Sequence, residues 1–328
     1  LSAGVPQRAG LERFLSANGL RSAIGEPAPR ATSDAADSSW DARFDAFTGP
    51  DNTVYAAAFD GDDLYVGGEF LTAGGVSVNG IARWDGSAWH PLGSGVDNIV
   101  RSIVVDGGNV YAAGQFSHAG GVAASGVARW DGSAWHPLGG GMNGIVYALG
   151  TYNGELYAGG LFTTAGGTPA LNIARWNGSA WSALGSGMNS YVFAFANRAG
   201  ALIAAGDFTT ADGIGANHVA SYDGSAWSAL GSGLDSYALS LTVSNGELVA
   251  GGNFQHAGGV NANRIARWDG ATWNALGDGM DNYVFSLAAY GPILYAGGYF
   301  TLAGGAPANT IARWENGAWS PLGSGTNG

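Results

Sequence analysis

The sequence predicts an all-β fold, a six-bladed β-propeller of four-stranded antiparallel blades with an extended N-terminal segment. Glycine supplies 58 of the 328 residues and tryptophan 12, while charged residues make up only 12%. This composition favours tight turns and aromatic-packed strands over charged helices. A segment of 46 residues also recurs six times without an insertion, and a fixed period of this length is typical of propellers and other repeat folds.

The repeat is clearest in the string ARWDGSAWHPLG, which occurs at residues 82–93 and again at 128–139. One four-stranded unit cannot bury its own aromatic residues, so the copies must stack, and radial closure protects their edges. A buried aromatic side chain removes about 150–250 Å² from water, so we expect the repeated aromatic pair to be mainly core. The pair is Trp84 and Trp89, Trp130 and Trp135, Trp176 and Trp181, Tyr222 and Trp227, Trp268 and Trp273, and Trp314 and Trp319.

Each copy contains four short apolar stretches that are separated by turn residues. In the third copy these predict strands at residues 146–149, 156–162, 173–176 and 181–184. The dipeptides Asn153-Gly154 and Asn177-Gly178 lie between them, and both are residue pairs that supply the positive φ of a two-residue hairpin. The connection between the second and third strands is instead a long glycine-rich loop.

A diglycine at the end of the second strand completes the pattern, as at Gly67-Gly68 and Gly251-Gly252. With the aromatic pair downstream, the pattern resembles kelch-type propellers and secreted bacterial proteins with WDGSxWxxLGxG repeats, from about residue 40 to the C-terminus. Ala113 and Ala205 depart from it by replacing the first glycine. The resemblance implies a fold and not a function, because propellers host enzymes, lectins and scaffolds alike.

The chain divides into three parts. Residues 1–39 lack the repeat and are typical of a short helix followed by a linker. Residues 40–49 match the fourth strand of a repeat and its exit loop, because the stretch 40–47 is followed by Gly49-Pro50-Asp51 as the stretch 89–92 is followed by Gly95-Val96-Asp97. Residues 50–328 form the six-repeat propeller, whose last copy already has a fourth strand. One strand is therefore surplus.

A surplus strand beside exposed strand edges favours pairing with another chain. We therefore expect the protein to assemble with itself, head to tail, into a fibre or a ring. Two alternatives stay open: the strand caps its own ring, or residues after Gly328 complete a seventh blade. The residues predicted to mediate assembly are Leu11, Phe14, Leu15, Trp40, Phe44 and Phe47.

Composition also excludes several classes of function. The net charge of −12 removes the electrostatic attraction that drives most nucleic-acid binding. There is no lysine and no cysteine, which excludes Schiff-base chemistry, thiolate catalysis and disulfides. No apolar run is long enough to span a membrane, and we expect an exported protein at the cell surface or outside the cell. No HExxH, GxSxG or phosphate-loop motif is present, so we expect no catalytic residues, no cofactor and no metal.

Several repeated polar residues are expected to be structural. Asp51, Asp97 and their Asp or Asn counterparts follow each fourth strand, and capping of their own turn is favoured there over a ring of cation ligands. Arg83 and four counterparts are expected to form ion pairs or cation–π contacts between blades. His90 and His136, and likewise His118 and His256, hold equivalent positions in different blades, too far apart to chelate a metal.

Ligand binding requires positions that vary between copies. Two such positions are the residue between the second-strand glycine and the following phenylalanine, and the residue at which Arg101 replaces an aromatic or leucine side chain. An acidic extracellular propeller with exposed aromatic residues there suits glycan binding, which is the alternative to self-assembly; an enzyme is the third choice. The possible ligand residues are Glu69, Gln115, Asp207, Asn253, Tyr299 and Arg101.

Overall fold

The computed structural model describes residues 49–325. The segments 1–39 and 40–48 lie outside the described residues, and so do the assembly residues that the sequence predicts there: Leu11, Phe14, Leu15, Trp40, Phe44 and Phe47. The described chain confirms the predicted class, since it forms six four-stranded antiparallel blades and contains no helix. In each blade the strands are hydrogen-bonded in chain order.

The chain forms two compact units. The first unit extends to Leu149 and includes residues 165–167, and the second comprises residues 150–164 and everything from Thr168 onward. The first unit contains two complete blades. Their strands are Val54–Asp60, Asp63–Gly68, Ile81–Trp84 and Trp89–Pro91 in blade 1, and Val100–Asp106, Asn109–Gly114, Val127–Trp130 and Trp135–Pro137 in blade 2.

The second unit contains three complete blades and most of blade 3, whose first strand, Ile145–Tyr152, spans the division. The other strands of blade 3 are Glu155–Leu161, Ile173–Trp176 and Trp181–Ala183. Blade 4 has Val192–Arg198, Ala201–Gly206, Val219–Tyr222 and Trp227–Ala229. Blade 5 has Ala238–Ser244, Glu247–Gly252, Ile265–Trp268 and Trp273–Ala275. Blade 6 has Val284–Tyr290, Ile293–Gly298, Ile311–Glu315 and Ala318–Pro321.

The long loop between the second and third strands has a structure that the sequence did not predict. It contains two short strands in every blade. They are Thr72–Ala73 and Val76–Ser77, His118–Ala119 and Val122–Ala123, Thr164–Ala165 and Thr168–Pro169, Thr210–Ala211 and Ile214–Gly215, His256–Ala257 and Val260–Asn261, and Leu302–Ala303 and Ala306–Pro307. The alanine of the first short strand also forms a bridge to the loop before the first strand, as Ala119 does to Val96. This bridge fixes the start of each blade.

The core is repetitive, as the period requires. A phenylalanine after each second strand is at most 3% exposed in all six blades: Phe70, Phe116, Phe162, Phe208, Phe254 and Phe300. The second member of each aromatic pair is buried as well, from Trp273 at 3% exposure to Trp319 at 9%. The two rings of a pair lie 5.3 Å apart between centroids in Trp84 and Trp89. The aromatic repeat therefore packs within each blade.

Candidate ligand-binding site

Three positions of the repeat come together at one end of blades 4 to 6. The residue before the first strand is Tyr191, Tyr237 or Tyr283. Its backbone carbonyl accepts a 3.0 Å hydrogen bond from the backbone N–H of the residue directly after the second strand, which is Asp207, Asn253 or Tyr299. A β-bulge at the start of each first strand, such as the one between Val284 and Ser286, locally disrupts strand pairing and reorients side chains. The aromatic cup formed here is lined by Tyr191, Phe193, Asp207, Tyr237, Leu239, Tyr283, Phe285 and Tyr299.

The rings of the aromatic cup are arranged in parallel and perpendicular pairs. Tyr283 and Phe285 are parallel, with 5.9 Å between centroids and 3° between planes. Tyr299 stands at 80° to Phe285 at 4.9 Å. Phe285 is 44% exposed and Tyr299 64%, so both offer apolar surface to a ligand. The cavity of about 410 Å³ lies within the size range of small-molecule sites.

The cup contains one charged group, the carboxylate of Asp207. It accepts a 3.2 Å hydrogen bond from the Ser190 hydroxyl, and the described residues place no cationic side chain within ion-pairing distance of it. Burial raises the pKa of Tyr237, and the neighbouring Tyr283 hydroxyl and Asp207 charge act in the same direction. The Tyr237 phenol therefore stays protonated and can donate a hydrogen bond at neutral pH.

The predicted ligand residues divide between two different environments. Asp207 and Tyr299 line the aromatic cup. Asn253 lies beside it, because its backbone N–H donates a hydrogen bond to the carbonyl of the cup residue Tyr237. Arg101 lies instead in the first unit, where its guanidinium stacks 4.2 Å from the centroid of the Tyr55 ring. The Tyr55 hydroxyl donates a 3.4 Å hydrogen bond to Glu69.

The same two repeat positions thus form a cation–π and hydrogen-bonded cluster in the first unit and an aromatic cup in the second. Gln115, the remaining predicted residue, is exposed, and its backbone N–H donates a hydrogen bond to the Ile99 carbonyl. The three cup tyrosines were not predicted from the sequence. Their spacing of 46 residues at positions 191, 237 and 283 was the available signal.

The acidic residues after each fourth strand have a structural role, with partners different from those expected. Asp97 does not cap its own turn; its Oδ1 accepts from the backbone N–H groups of Ser117 and His118 at 2.8 and 3.0 Å. Asn189 binds Thr209 and Thr210 in the same way. A carboxylate and an amide perform this task equally because only an acceptor oxygen is needed. The side chain holds the short hairpin of its blade.

The repeated arginines also differ from expectation. Arg83 pairs with Asp63 at 2.9 Å, and Arg267 pairs with Glu247 at 2.8 Å. Both partners lie on the second strand of the same blade, so these ion pairs stabilise single blades and do not join neighbours. The histidines of the fourth strands pair within their own hairpins, as His90 does with Asp85 at 2.6 Å. No cluster of three metal-ligating side chains occurs within residues 49–325.

A second surface with functional potential is the face that blade 6 would present to a following blade. An alanine Cβ at Gly251 in blade 5 would lie 2.6 Å from Val284 Cγ1 of blade 6. At the equivalent Gly297, the described residues offer only the Thr310 carbonyl, at 3.9 Å. Ser240 on this face of blade 5 is 9% exposed, whereas its counterpart Ser286 is exposed. The interface between repeats is thus present at blade 6, and no described residue of the second unit covers it.

Comparisons with known proteins agree on the architecture. The profile of the Rax2 C-terminal β-propeller domain matches residues 86–242, and that of a β-propeller domain of unknown function, DUF5122, matches residues 244–268. The chain is a β-propeller repeat protein. No curated protein matches it at a significant level. Within the described residues no helix has the length and apolar character needed to cross a membrane.

Solved structures show the same fold at low sequence identity. The WD40 β-propeller domain of Doa1 is 13% identical with a TM-score of 0.54, over 84% of this chain and 85% of that one. The extracellular domain of a hybrid two-component system from B. thetaiotaomicron is 12% identical with a TM-score of 0.51, over 84% of this chain and 39% of that one. These similarities establish the fold alone.

Proposed function

We propose that this protein is a non-catalytic interaction protein that assembles with copies of itself outside the cell. The observation that carries the proposal is the uncovered face of blade 6. In blade 5 the same face is covered by the first strand of the next repeat, so its surface is built to receive such a strand. The equivalent faces of other blades gain hydrophobic free energy because they are buried. This face, while in contact with water, has not gained it, so covering it with another strand is favourable.

The first blade supplies a complementary surface. Val54 begins its first strand and is 42% exposed, and the adjacent Tyr55 is 41% exposed. All five counterparts of Val54 are 0% exposed: Val100, Val146, Val192, Ala238 and Val284. In blades 2, 4 and 6 this residue covers the glycine face of the preceding blade, as Val100 covers Gly67. Val54 therefore occupies the repeat position of a buried interface residue, although it is itself exposed.

The two surfaces match because they are the two halves of one repeated contact. The first strand of one copy would fill the blade 6 face of another and reproduce the contact that Val284 makes with Gly251. This arrangement is head to tail, so it gives a ring when the rotation closes and a fibre when it does not. The N-terminal segment predicted from the sequence, with its surplus strand, supports the same outcome by a second route.

Light scattering coupled to size exclusion tests this assembly. The intact chain is expected to form concentration-dependent oligomers, and Val54→Glu is expected to be monomeric because a charge there cannot be buried against an apolar face. Val122→Glu is the matched control, since Val122 is a similarly exposed valine (44%) on a short loop strand. Monomers of the intact chain at every concentration, or unchanged oligomers of Val54→Glu, would reject the contact. A chain lacking residues 1–47 reports separately on the terminal segment.

The extracellular location and the kelch-like classification belong to the same proposal. The WDGSxWxxLGxG pattern, which resembles that of secreted bacterial propellers, supports it, and one structural neighbour is described as an extracellular domain. The propeller scaffold without a catalytic motif supports a binding role. Fractionation of the source cells with an antibody to the native protein tests the location.

Carbohydrate binding is a second candidate, favoured by the aromatic cup. A pyranose ring has one face of C–H groups and a rim of hydroxyls, which suits the parallel Tyr283 and Phe285 rings and the polar Asp207. A glycan array with the intact protein, Phe285→Ala and Tyr299→Ala tests it. Binding that both variants lose supports the candidate, while an array without signal rejects it. Leu71→Ala is the control, because Leu71 is 67% exposed and lies outside the cup.

A further inference from the structure

The charge of the aromatic cup restricts the ligands that it can hold. Asp207 is the one charged residue among the eight that line it, and its described partners are the Ser190 hydroxyl and the backbone. An unpaired carboxylate beside apolar rings attracts a cation more strongly than one in open water, because the surrounding dielectric is lower. The cup is therefore an electronegative site.

A neighbouring histidine does not neutralise this charge. Burial lowers the pKa of His218, and this effect outweighs the opposite effect of the nearby Asp207 charge. Its imidazole is consequently neutral at pH 7 and adds no positive charge. Burial raises the pKa of Tyr237, so this phenol remains uncharged there. Asp235 also acts on His218 and adds negative charge. The charged and titratable groups that face Asp207 leave its charge uncompensated.

The aromatic rings strengthen the preference for a cation. The face of a Tyr or Phe ring carries negative potential, and a cation over it gains about 0.5–2 kcal/mol. Phe193 and Tyr237 meet at 69°, and Phe285 and Tyr299 at 80°, so the rings present both faces and edges around the cavity. A carboxylated ligand would be repelled by Asp207 and by the protein's net charge of −12.

We infer that the cup binds a sugar that carries a protonated amino group, with the ammonium paired to Asp207, the sugar ring stacked on Phe285, and its edge in contact with the perpendicular Tyr299 ring. This inference rests on the carbohydrate-binding candidate and names the class of sugar. An N-acetylated sugar of the same shape lacks the positive charge, and a uronic acid has the opposite one. Each therefore loses the ion pair while keeping the stacking surface.

Titration calorimetry at mildly acidic pH tests the inference with three probes: a glucosamine oligosaccharide, its N-acetylated form and an oligogalacturonate. The amino form is expected to bind about tenfold or more tightly than the acetylated form, and the preference is expected to fall with added salt. Asp207→Asn is expected to abolish the preference and to keep residual binding through the rings.

Asp281→Asn is the matched control. It removes one negative charge at a position where Asn189 already makes the equivalent hydrogen bonds, so the preference for the amino form is expected to remain. Equal binding of the amino and acetylated forms, or a preference that survives Asp207→Asn, would overturn the inference while leaving carbohydrate binding intact. If none of the three oligosaccharides binds, the carbohydrate candidate itself fails.

Discussion

The indole Nε1 of Trp273 donates a 2.9 Å hydrogen bond to the backbone carbonyl of Leu230, 43 residues earlier in the chain. The same bond joins Trp319 to Leu276 at 2.8 Å. Each is buried and connects one blade to the residue directly after the fourth strand of the blade before it. The second tryptophan of the repeat therefore serves two purposes, since it fills its own blade and bonds to its neighbour.

Replacement of Trp273 by phenylalanine tests the bond between blades. The buried Leu230 carbonyl would lose its indole donor and keep the bond from the Gly233 N–H at 3.1 Å, and the loss of one hydrogen bond typically costs about 0.5–1.5 kcal/mol. Trp227→Phe is the control, because the Trp227 Nε1 is buried without a hydrogen-bond partner among the described residues. Urea unfolding followed by circular dichroism is expected to show a larger loss for Trp273→Phe. Equal losses would mean that packing alone determines the effect.

Two equivalent glycines distinguish a covered from an uncovered blade face. Gly251→Ala would bring a Cβ to 2.6 Å from Val284 Cγ1, and overpacking of this kind typically costs about 1–3 kcal/mol. Gly297→Ala meets open space and is expected to change the free energy of unfolding by less than about 0.5 kcal/mol. Thermal unfolding of dilute samples provides the comparison. A similar loss in both variants would show that the Gly297 face is covered.

The Asp269 carboxylate is expected to make stability depend on acidity. Hydrogen bonds from the backbone N–H groups of Thr272 and Ala271 lower the pKa of Asp269 to about 2. Because its pKa is lower in the folded chain, its contribution is complete above the usual aspartate pKa of about 3.9 and is lost as the pH falls towards 2. The melting temperature should therefore fall through this window.

Asp269→Asn isolates this contribution. Asn177 already accepts the equivalent backbone bonds, from Ser179 at 3.0 Å and Ala180 at 2.9 Å, so the turn is expected to persist in the variant. Between pH 4 and pH 2 the melting temperature of the original chain should drop more than that of Asp269→Asn. Parallel curves for the two proteins would contradict the assignment.

Thr310 occupies a backbone conformation that costs energy. Its φ is 73°, and the equivalent residues of blades 1 and 2 are Gly80 and Gly126, with φ of 78° and 73°. A β-branched residue there is strained by about 1–3 kcal/mol. Thr310→Gly is expected to raise the free energy of unfolding by roughly 1 kcal/mol after the entropy of the added glycine is subtracted. Gly126→Thr should lower it, and a stabilised Gly126→Thr would refute the argument.

Local features of the fold were predictable, and features that depend on packing between repeats were not. The turn dipeptide Asn153-Gly154 placed the hairpin between the first two strands of blade 3 correctly, because positive φ is a local property of these residues. The short strands His118–Ala119 and Val122–Ala123 were missed, since two residues carry too little pattern to predict a strand. The bridge to Val96 that stabilises them is a contact with a distant part of the chain.

The candidate site illustrates the same limit. Asp207 and Tyr299 were identified because their repeat position varies, yet Tyr191, Tyr237 and Tyr283 were not. In blades 2 and 3 the equivalent residues are Ile99 and Ile145, so no repeat-wide motif marks them. Their proximity becomes evident only when neighbouring blades are packed together. Likewise, Gly251 and Gly297 are identical in sequence, and only the structure distinguishes the covered one from the exposed one.

The near identity of the contacts between blades has a consequence for the folding pathway. Val100 on Gly67, Val192 on Gly159 and Val284 on Gly251 are almost the same interface, so an early intermediate gains little by choosing the correct neighbour. A blade that docks out of order would be nearly as stable as the native pair and would have to dissociate before folding continues. Vectorial synthesis, which releases one blade at a time, would favour the native order over refolding from the denatured chain.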